Sequence, residues 1–186
     1  MVVRLELPAD REAVKEVHLR AFGDHGAVVG ALVDSLRPSI AVDVGLSLVA
    51  ERNSVVVGHV MFTPSVLDAP VRLVRVQVLS PLGVVPEHQR TGVGSELVRA
   101  GLATMAQQGV PVVFLEGDPG YYSRFGFMPG GELGFRKPSL RIPDAAFQAV
   151  TLAAYQPWMT GTLVYSEPFW QHDAVGLRSP GPPGPA

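Results

Sequence analysis

Residues Gly83–Ser95 read GVVPEHQRTGVGS and continue an apolar, largely β-branched run that begins at Leu73. Gly92 and Gly94 stand where a helix predicted to extend to about Gln108 begins. The first N–H groups of a helix have no partner within it, and the helix dipole adds partial positive charge there. Glycine lets a ligand approach the backbone closely because it has no Cβ. The stretch therefore predicts a strand, a turn and a helix start that bind phosphate or pyrophosphate.

Two common phosphate loops do not match this stretch. The dinucleotide-binding pattern needs a third glycine where Leu97 stands. The nucleoside triphosphate loop needs a lysine and then Ser or Thr after its last glycine, whereas Gly94 is followed by Ser95 and Glu96. An ordinary junction, in which the glycines only start the helix, is the alternative at this point.

The rest of the chain alternates helical and extended patterns. Periodicity and turn residues predict helices at Pro8–Phe22 and at Ala27–Leu36, the second ending before Pro38. Further strands and one short helix are predicted at Val2–Leu5, Leu46–Glu51, Val55–Phe62, Val110–Glu116, Pro119–Arg124 (the helix), Gly126–Met128, Phe147–Ala154 and Thr162–Tyr165. This order predicts an α/β (α+β) domain with a mixed central sheet of about seven strands flanked by helices.

Length and composition limit the function further. The 186 residues predict one domain at 1–177 and a disordered tail at 178–186, which is rich in Pro and Gly. A net charge of −2 gives no basic excess for nucleic acid. No apolar stretch is long enough to span a membrane, so we expect a cytoplasmic protein, which the absence of Cys also fits. The five His residues share no ligand spacing, so no metal is expected.

Two signatures in order resemble one enzyme family. Gln89-x-x-Gly92-x-Gly94 resembles the acetyl-CoA pyrophosphate loop of the GNAT N-acetyltransferase superfamily. The later segment Tyr122-Ser-Arg-Phe-Gly126-Phe127 looks like its Tyr-x-x-x-Gly-Phe signature, and together they resemble a bacterial subgroup of unassigned substrate. The resemblance covers about residues 2–130. It implies an acyltransferase that moves an acetyl group from acetyl-CoA to an amine of a small molecule or peptide, by direct attack in a ternary complex.

The resemblance implies a slot for acetyl-CoA between two splayed strands. Pro81 predicts a bulge, because proline in a central strand forfeits a hydrogen bond, and the bulge would splay its strand from Val110–Glu116. An edge-strand position for Pro81 is the alternative. The residues expected to bind the cofactor are Leu82, Val84, Val85, Gln89, Arg90, Thr91, Gly92, Val93, Gly94, Ser95, Tyr122 and Phe125.

Tyr122 is the expected general acid, which protonates the leaving thiolate, with Tyr121 as its rival. A phenol is a weaker acid than a thiol, so we expect a nearby helix N-terminus at Pro119 to lower the pKa of Tyr122.

Glu116 is the expected base, with its pKa raised by burial, and Asp118 and His59 are alternatives. Glu116 also stands where many family members carry Asn, so the contact made by that Asn would need Asp118 or a backbone group here.

Two other functions remain open at this stage. One is a non-catalytic module of the same fold that binds or senses acyl-CoA. The other is an unrelated α/β protein with another phosphate ligand. The resemblance also suggests a homodimer formed through the C-terminal strands.

Overall fold

The computed structural model describes residues 1–178. Of the predicted tail only Arg178 is included, where its guanidinium bonds Asp173 at 2.6 Å, and the remainder lies outside the described residues. Within the described residues, no helix has the length and apolar character needed to cross a membrane.

Within residues 1–178, a nine-stranded mixed sheet forms the centre of the fold, where the sequence predicts about seven strands. The elements are β1 Val2–Leu5, α1 Arg11–Phe22, α2 Gly26–Val42, β2 Leu46–Arg52, β3 Val55–Asp68, β4 Leu73–Val84, α3 Val93–Gln107, β5 Val112–Glu116, α4 Pro119–Tyr122, β6 Met128–Pro129, β7 Phe135–Arg136, β8 Phe147–Thr151, β9 Gly161–Val164 and α5 Glu167–Gln171. The strands run in the order β1-β2-β3-β4-β5-β8-β6, and β9 pairs with both β3 and β7. The β4–β5 and β7–β9 pairs are parallel, and the other pairs are antiparallel.

Helix α2 is longer than the sequence predicts. It continues through Pro38 to Val42, although proline removes a helical hydrogen bond. Leu36 before the proline is fully buried, and Ile40 after it packs against the same core. Packing on both sides of Pro38 therefore offsets the lost hydrogen bond, a tertiary effect that local propensity does not reveal.

Helices α1 and α3 lie on opposite faces of the sheet. Successive strand residues point to opposite faces. On β3, His59 contacts His18 of α1, whereas a Cβ at the preceding Gly58 would lie 2.9 Å from Val93 of α3. On β4, Gly83 lies against His18 in the same way. We call these two sides of the sheet the α1 face and the α3 face.

Strand β4 bulges and then separates from β5. Phe62 pairs with Leu79 and Val60 pairs with Leu82, so two residues of β4 lie opposite one residue of β3. This confirms the bulge predicted at Pro81. β4 pairs with β5 only at Gln77 and Val78, and β5 turns away beyond them. The predicted splay is thus present, and one edge of β4 is open from Leu79 to Val84.

Candidate functional site

Backbone groups of β4 face the opening between β4 and β5. Val85 N–H donates to Val57 at 3.0 Å, and residues along an antiparallel ladder alternate between bonded and non-bonded pairs. Gly83 is therefore bonded to β3, while Leu82 and Val84 direct their N–H and C=O groups into the slot. The C=O of Val84 indeed accepts from the Gln89 side chain at 3.0 Å.

Val85 differs from Leu82 and Val84. Its N–H is bonded to Val57, and its C=O accepts from His88 N–H at 2.9 Å. The N–H of Val85 is therefore not free for a ligand, and the expected contact with the cofactor would need its C=O to accept a second hydrogen bond. The open groups of the slot are those of Leu82 and the N–H of Val84.

The loop before α3 leaves the helix start uncapped. Arg90 and Gly92 have left-handed backbone conformations, with φ of 58° and 93°. No side chain caps the helix at Gly92, so the N–H groups of Val93 to Ser95 have no intrahelical partner. A Cβ at Gly94 would lie 2.6 Å from Tyr121 Oη, so a larger residue there would have to displace the Tyr121 hydroxyl. The arrangement suits an anion such as pyrophosphate.

Arg52 adds positive charge beside this loop. Its guanidinium lies 3.4 Å from Thr91 O and 3.4 Å from His88 Nδ1. No local pattern in the sequence marks Arg52, because it precedes the β2–β3 turn and is far from the loop along the chain. The pairing of β2 with β3 in the sheet brings Arg52 beside the loop.

Aromatic rings cover the α3 face of the slot. Tyr122 lies edge-on to Tyr121 and to Phe127, with ring centroids 4.9 and 5.8 Å apart, and Phe125 packs beside them. A Cβ at Gly117 would lie 2.5 Å from the Tyr122 ring. Among the described residues, the Tyr122 hydroxyl has no hydrogen-bond partner and is therefore open to a ligand.

The pKa of Tyr122 moves opposite to our expectation. Burial raises it, and the neighbouring Tyr121 raises it further. Helix α4 has only four residues, and Tyr122 is the last of them, so the N-terminus at Pro119 is one turn away. Desolvation outweighs that weak dipole, and Tyr122 remains protonated at neutral pH.

Glu116 ends β5 and is held by the C-terminal segment. Its Oε1 accepts from the Tyr165 hydroxyl at 2.9 Å, and its Oε2 accepts from Gly176 N–H at 3.0 Å. Burial raises the pKa of Glu116, the direction that the sequence suggested, although these two donors oppose it. Sequence analysis missed both partners, since nothing local links residues so far apart along the chain.

The alternative bases, Asp118 and His59, make hydrogen bonds of other kinds. Asp118 caps α4 by accepting Gly120 N–H at 2.9 Å. His59 is fully buried beneath α1, bonded to His18 and Ser47. Within residues 1–178 no group of three or more His, Cys, Asp or Glu side chains could hold a metal ion.

One cavity, of about 700 Å³, lies away from the slot. Phe135, Phe147, Lys137 and Leu140 are among its lining residues, and none of its lining comes from β4 or α3. The slot itself is an opening in a sheet rather than an enclosed cavity.

The slot therefore combines an open strand edge with an uncapped helix start, a geometry that can be compared with known proteins. Residues 3–130 match the model of the acetyltransferase (GNAT) domain. The chain therefore belongs to the GNAT acetyltransferase family, as its two signatures suggested, and is an acyltransferase.

Proteins similar to this chain are also described as N-acetyltransferases or GNAT acetyltransferases. It is 33% identical over 168 residues to the uncharacterized N-acetyltransferase YjhQ of Escherichia coli K12, covering 86% of this chain and 89% of YjhQ. It is 29% identical to the GNAT N-acetyltransferase YhbS of Escherichia coli, solved in complex with CoA, with a TM-score of 0.79 over 90% of this chain and 91% of YhbS. A GNAT acetyltransferase of Brucella melitensis, solved with acetyl-CoA, is 31% identical, with a TM-score of 0.70 over 90% and 97% of the two chains.

Proposed function

We propose that this protein is an N-acetyltransferase that moves the acetyl group of acetyl-CoA to an amine by direct attack in a ternary complex. The observation that carries the proposal is the open edge of β4 from Leu79 to Val84, which leads directly to the uncapped start of α3. The solved relatives that hold CoA or acetyl-CoA support the same donor.

The slot and loop suit the parts of acetyl-CoA. Amides of the pantetheine arm pair with Leu82 and Val84 in the manner of an added strand. The pyrophosphate lies on the N–H groups of residues 90–95, with the charges of Arg52 and Arg90 beside it. The absence of a side chain at Gly92 and Gly94 keeps that approach open.

Acetyl transfer needs one new bond, one broken bond and two proton movements. The amine nitrogen forms a bond to the thioester carbonyl carbon, and the carbon–sulfur electron pair leaves with sulfur. Tyr122, which burial keeps protonated, gives its hydroxyl proton to the sulfur as the carbon–sulfur bond breaks. Its raised pKa makes this transfer uphill, and the phenolate regains a proton from solvent. Glu116, whose pKa burial raises, receives the proton lost by the amine, directly or through water. No acyl-cysteine intermediate is available because the chain contains no Cys.

The donor is tested by ligand-induced thermal stabilisation. Acetyl-CoA and CoA are expected to raise the Tm, since a ligand that binds only the native state stabilises it. Stabilisation by NAD or ATP, without stabilisation by either CoA species, would overturn the proposal.

A charge variant locates the binding site. Ser95→Asp places a carboxylate in the first turn of α3, where it favours the helix but repels pyrophosphate. We expect an unchanged or higher Tm without ligand and at least about tenfold weaker acetyl-CoA binding. Ala103→Glu, which adds the same charge to an exposed position farther along α3, is the matched control and should bind normally.

Catalysis is tested by thiol release over a panel of small amines and peptides. An enzyme releases CoA faster when one class of amine is added. A protein that binds acetyl-CoA tightly but releases no thiol with any amine would instead be a sensing module.

A further inference from the structure

The C-terminal segment, residues 165–178, supplies two hydrogen-bond donors to Glu116 at the end of β5. The first is the hydroxyl of Tyr165, which directly follows β9 and is 5% exposed. The Tyr165 ring packs against Phe169 of α5, with ring centroids 4.9 Å apart. Trp170 Nε1 donates to the Tyr165 carbonyl oxygen at 3.4 Å. Contacts of both the ring and the backbone therefore fix the position of the Tyr165 hydroxyl.

The second donor, Gly176 N–H, is held by backbone contacts. Gly176 has a φ of 63°, and a Cβ there would lie 2.6 Å from the carbonyl carbon of Arg141. Leu177 N–H donates to Arg141 O at 3.2 Å. The left-handed conformation and the close approach of the two backbones both favour glycine. The loop between β7 and β8 thus sets where this N–H points.

The two donors bind different oxygens of the same carboxylate. Tyr165 donates to Glu116 Oε1, and Gly176 donates to Oε2. A carboxylate oxygen can accept two hydrogen bonds, so each oxygen keeps one lone pair. Glu116 is half-buried rather than enclosed. The two bonds therefore fix the plane of the carboxylate and still leave it able to accept a proton.

The side chains beside Glu116 on the sheet are apolar. Phe147 lies directly opposite Glu116 in the β5–β8 pair, where Cβ atoms are about 4.5–5.5 Å apart. Phe114, two positions earlier on the same face of β5, stacks on Phe147 with ring centroids 5.7 Å apart. Rings of this kind cannot stabilise a negative charge, so the ionised form of Glu116 depends on its polar partners.

Tyr165 is the strongest of these polar partners. Burial raises the pKa of Glu116, and the Tyr165 hydroxyl opposes that rise more than the second donor or the charge of Arg141 does. Arg141 is itself bonded to Asp173 at 3.2 Å, which compensates part of its charge. Asp118, the other acid near this strand end, caps α4.

The phenol of Tyr165 remains a donor over the range in which an enzyme is assayed. Burial, together with the charge of Glu116, raises the pKa of Tyr165 well above its ordinary value of 10. An ionised carboxylate can only accept, so the proton of this hydrogen bond belongs to Tyr165.

We infer that Tyr165 is a positioning residue for acetyl transfer: its hydroxyl orients the Glu116 carboxylate and stabilises the ionised form, which accepts the proton of the amine. This inference rests on the proposed function. Tyr165 touches neither the amine nor acetyl-CoA, and it gives up no proton. Tyr122 and Tyr165 therefore have opposite tasks, since Tyr122 gives a proton to sulfur whereas Tyr165 keeps the base free of one.

The effect on Glu116 is tested without any substrate, by titrating the side-chain carboxyl carbons of the ¹³C-Glu-labelled full chain by NMR. Glu116→Gln identifies the resonance of Glu116. Tyr165→Phe keeps the ring that packs on Phe169 and removes only the hydroxyl. The pKa of Glu116 should rise by about one pH unit in this variant, the effect of one hydrogen bond to a charged group. An unchanged pKa would overturn the inference and leave acetyl-CoA binding and thiol release unaffected.

Tyr155→Phe is the matched control for this titration. Tyr155 also packs on the core, with its ring centroid 6.3 Å from that of Phe135, but its hydroxyl makes no hydrogen bond to the described residues. The pKa of Glu116 should stay at its wild-type value in this control. An equal shift in both variants would show that the hydrogen bond from Tyr165 is not the cause and would overturn the inference.

The effect on the reaction is tested by the pH dependence of kcat/KM for the fastest amine of the panel. In Tyr165→Phe the acidic limb should move to higher pH by the same unit, so the rate on that limb falls about tenfold. The rate should return to nearly the wild-type value at high pH, and the KM for acetyl-CoA should not change. An equal loss at every pH would indicate a purely structural role and overturn the inference.

A double variant separates a failure of this inference from a failure of the proposed base. In a Glu116→Gln background, Tyr165→Phe should cause no further loss, because the two residues act through one hydrogen bond. A full additional loss would overturn the inference alone. A wild-type rate and pH profile in Glu116→Gln would instead exclude Glu116 as the base, and the role of Tyr165 would be excluded with it.

Discussion

The two faces of β4 are built from different parts of the chain. On the α3 face, the proposed phosphate loop and the tyrosines come from two short segments, residues 83–95 and 116–127. On the α1 face, Glu6, His18, Arg37, Ser47 and His59 come from as many separate places. The α3 face therefore depends on local sequence, whereas the α1 face exists only once the sheet and both helices have assembled.

This difference separates cofactor binding from the stability of the fold. Changes on the α3 face should alter ligand affinity or turnover and leave the folded state intact. Changes on the α1 face should weaken the folded state, because removing one member of a buried polar network leaves its partner without a hydrogen bond. Four predictions examine that division, starting with the greatest expected change.

Arg37→Met should destabilise the protein by about 3–5 kcal/mol, because it leaves the Glu6 carboxylate buried without its cation. The side chain of Glu6 is only 6% exposed. Arg75→Met is the control, since Arg75 pairs with Asp43 but is 78% exposed, and should cost at most about 1 kcal/mol. Urea unfolding measures the free energy of unfolding of both variants. Equal decreases would show that the network around Glu6 adds little to the stability of the protein.

Tyr122→Phe should lower kcat by about 100-fold or more, because it removes the proposed acid while keeping the ring that packs on Gly117. The Tm and the KM for acetyl-CoA should change little. Tyr121→Phe is the matched control and should mainly affect acetyl-CoA binding, since its hydroxyl lies beside Gly94. A normal kcat in Tyr122→Phe would exclude Tyr122 as the acid.

Gly83→Ala should destabilise the protein by about 1–3 kcal/mol through overpacking. The new Cβ would lie 2.8 Å from His18 Nδ1, and the ring cannot move without breaking its bond to His59. Gly131→Ala, where a Cβ meets nothing within 4 Å, should be nearly neutral. Thermal unfolding compares the two, and a neutral Gly83→Ala would show that His18 is not held in place.

The folded protein should lose stability in acid in two steps. The pKa of His18 falls from 6.5 to about 3 on folding, so its contribution is lost as the pH drops below 6.5. The pKa of Glu6 falls from 4.5 to about 2, so a second contribution is lost below 4.5. Each group adds a slope of about 1.4 kcal/mol per pH unit within its window. In His18→Gln, the decrease in the free energy of unfolding between pH 6.5 and 4.5 should be smaller than in the wild type. An unchanged dependence on pH would show that groups other than His18 cause this decrease.

The same division explains how much the sequence predicts. The strand, turn and helix start at residues 83–95, the bulge at Pro81 and the short helix that contains Tyr122 are encoded by neighbouring residues, so sequence patterns identify them. The pKa of Tyr122 was predicted in the wrong direction because burial, a tertiary property, outweighs the helix end. The continuation of α2 through Pro38 likewise depends on core packing.

His18 and Glu116 show what a sequence pattern cannot contain. His18 reads as an ordinary helix residue, and only strand pairing and packing place His59 opposite it. Glu116 could be singled out as the end of an apolar strand, but its partners Tyr165 and Gly176 could not. Contacts of this kind depend on the three-dimensional order of the strands, which local patterns do not specify.

The hydrogen bonds from the C-terminal segment to Glu116 have a consequence for the order in which the site is completed during synthesis. Tyr165 and Gly176 lie 49 and 60 positions after Glu116, so the ribosome makes them well after the phosphate loop and Tyr122. A nascent chain that ends near residue 150 contains the proposed cofactor-binding segments but neither donor to Glu116. The surroundings of the proposed base are therefore completed last during synthesis.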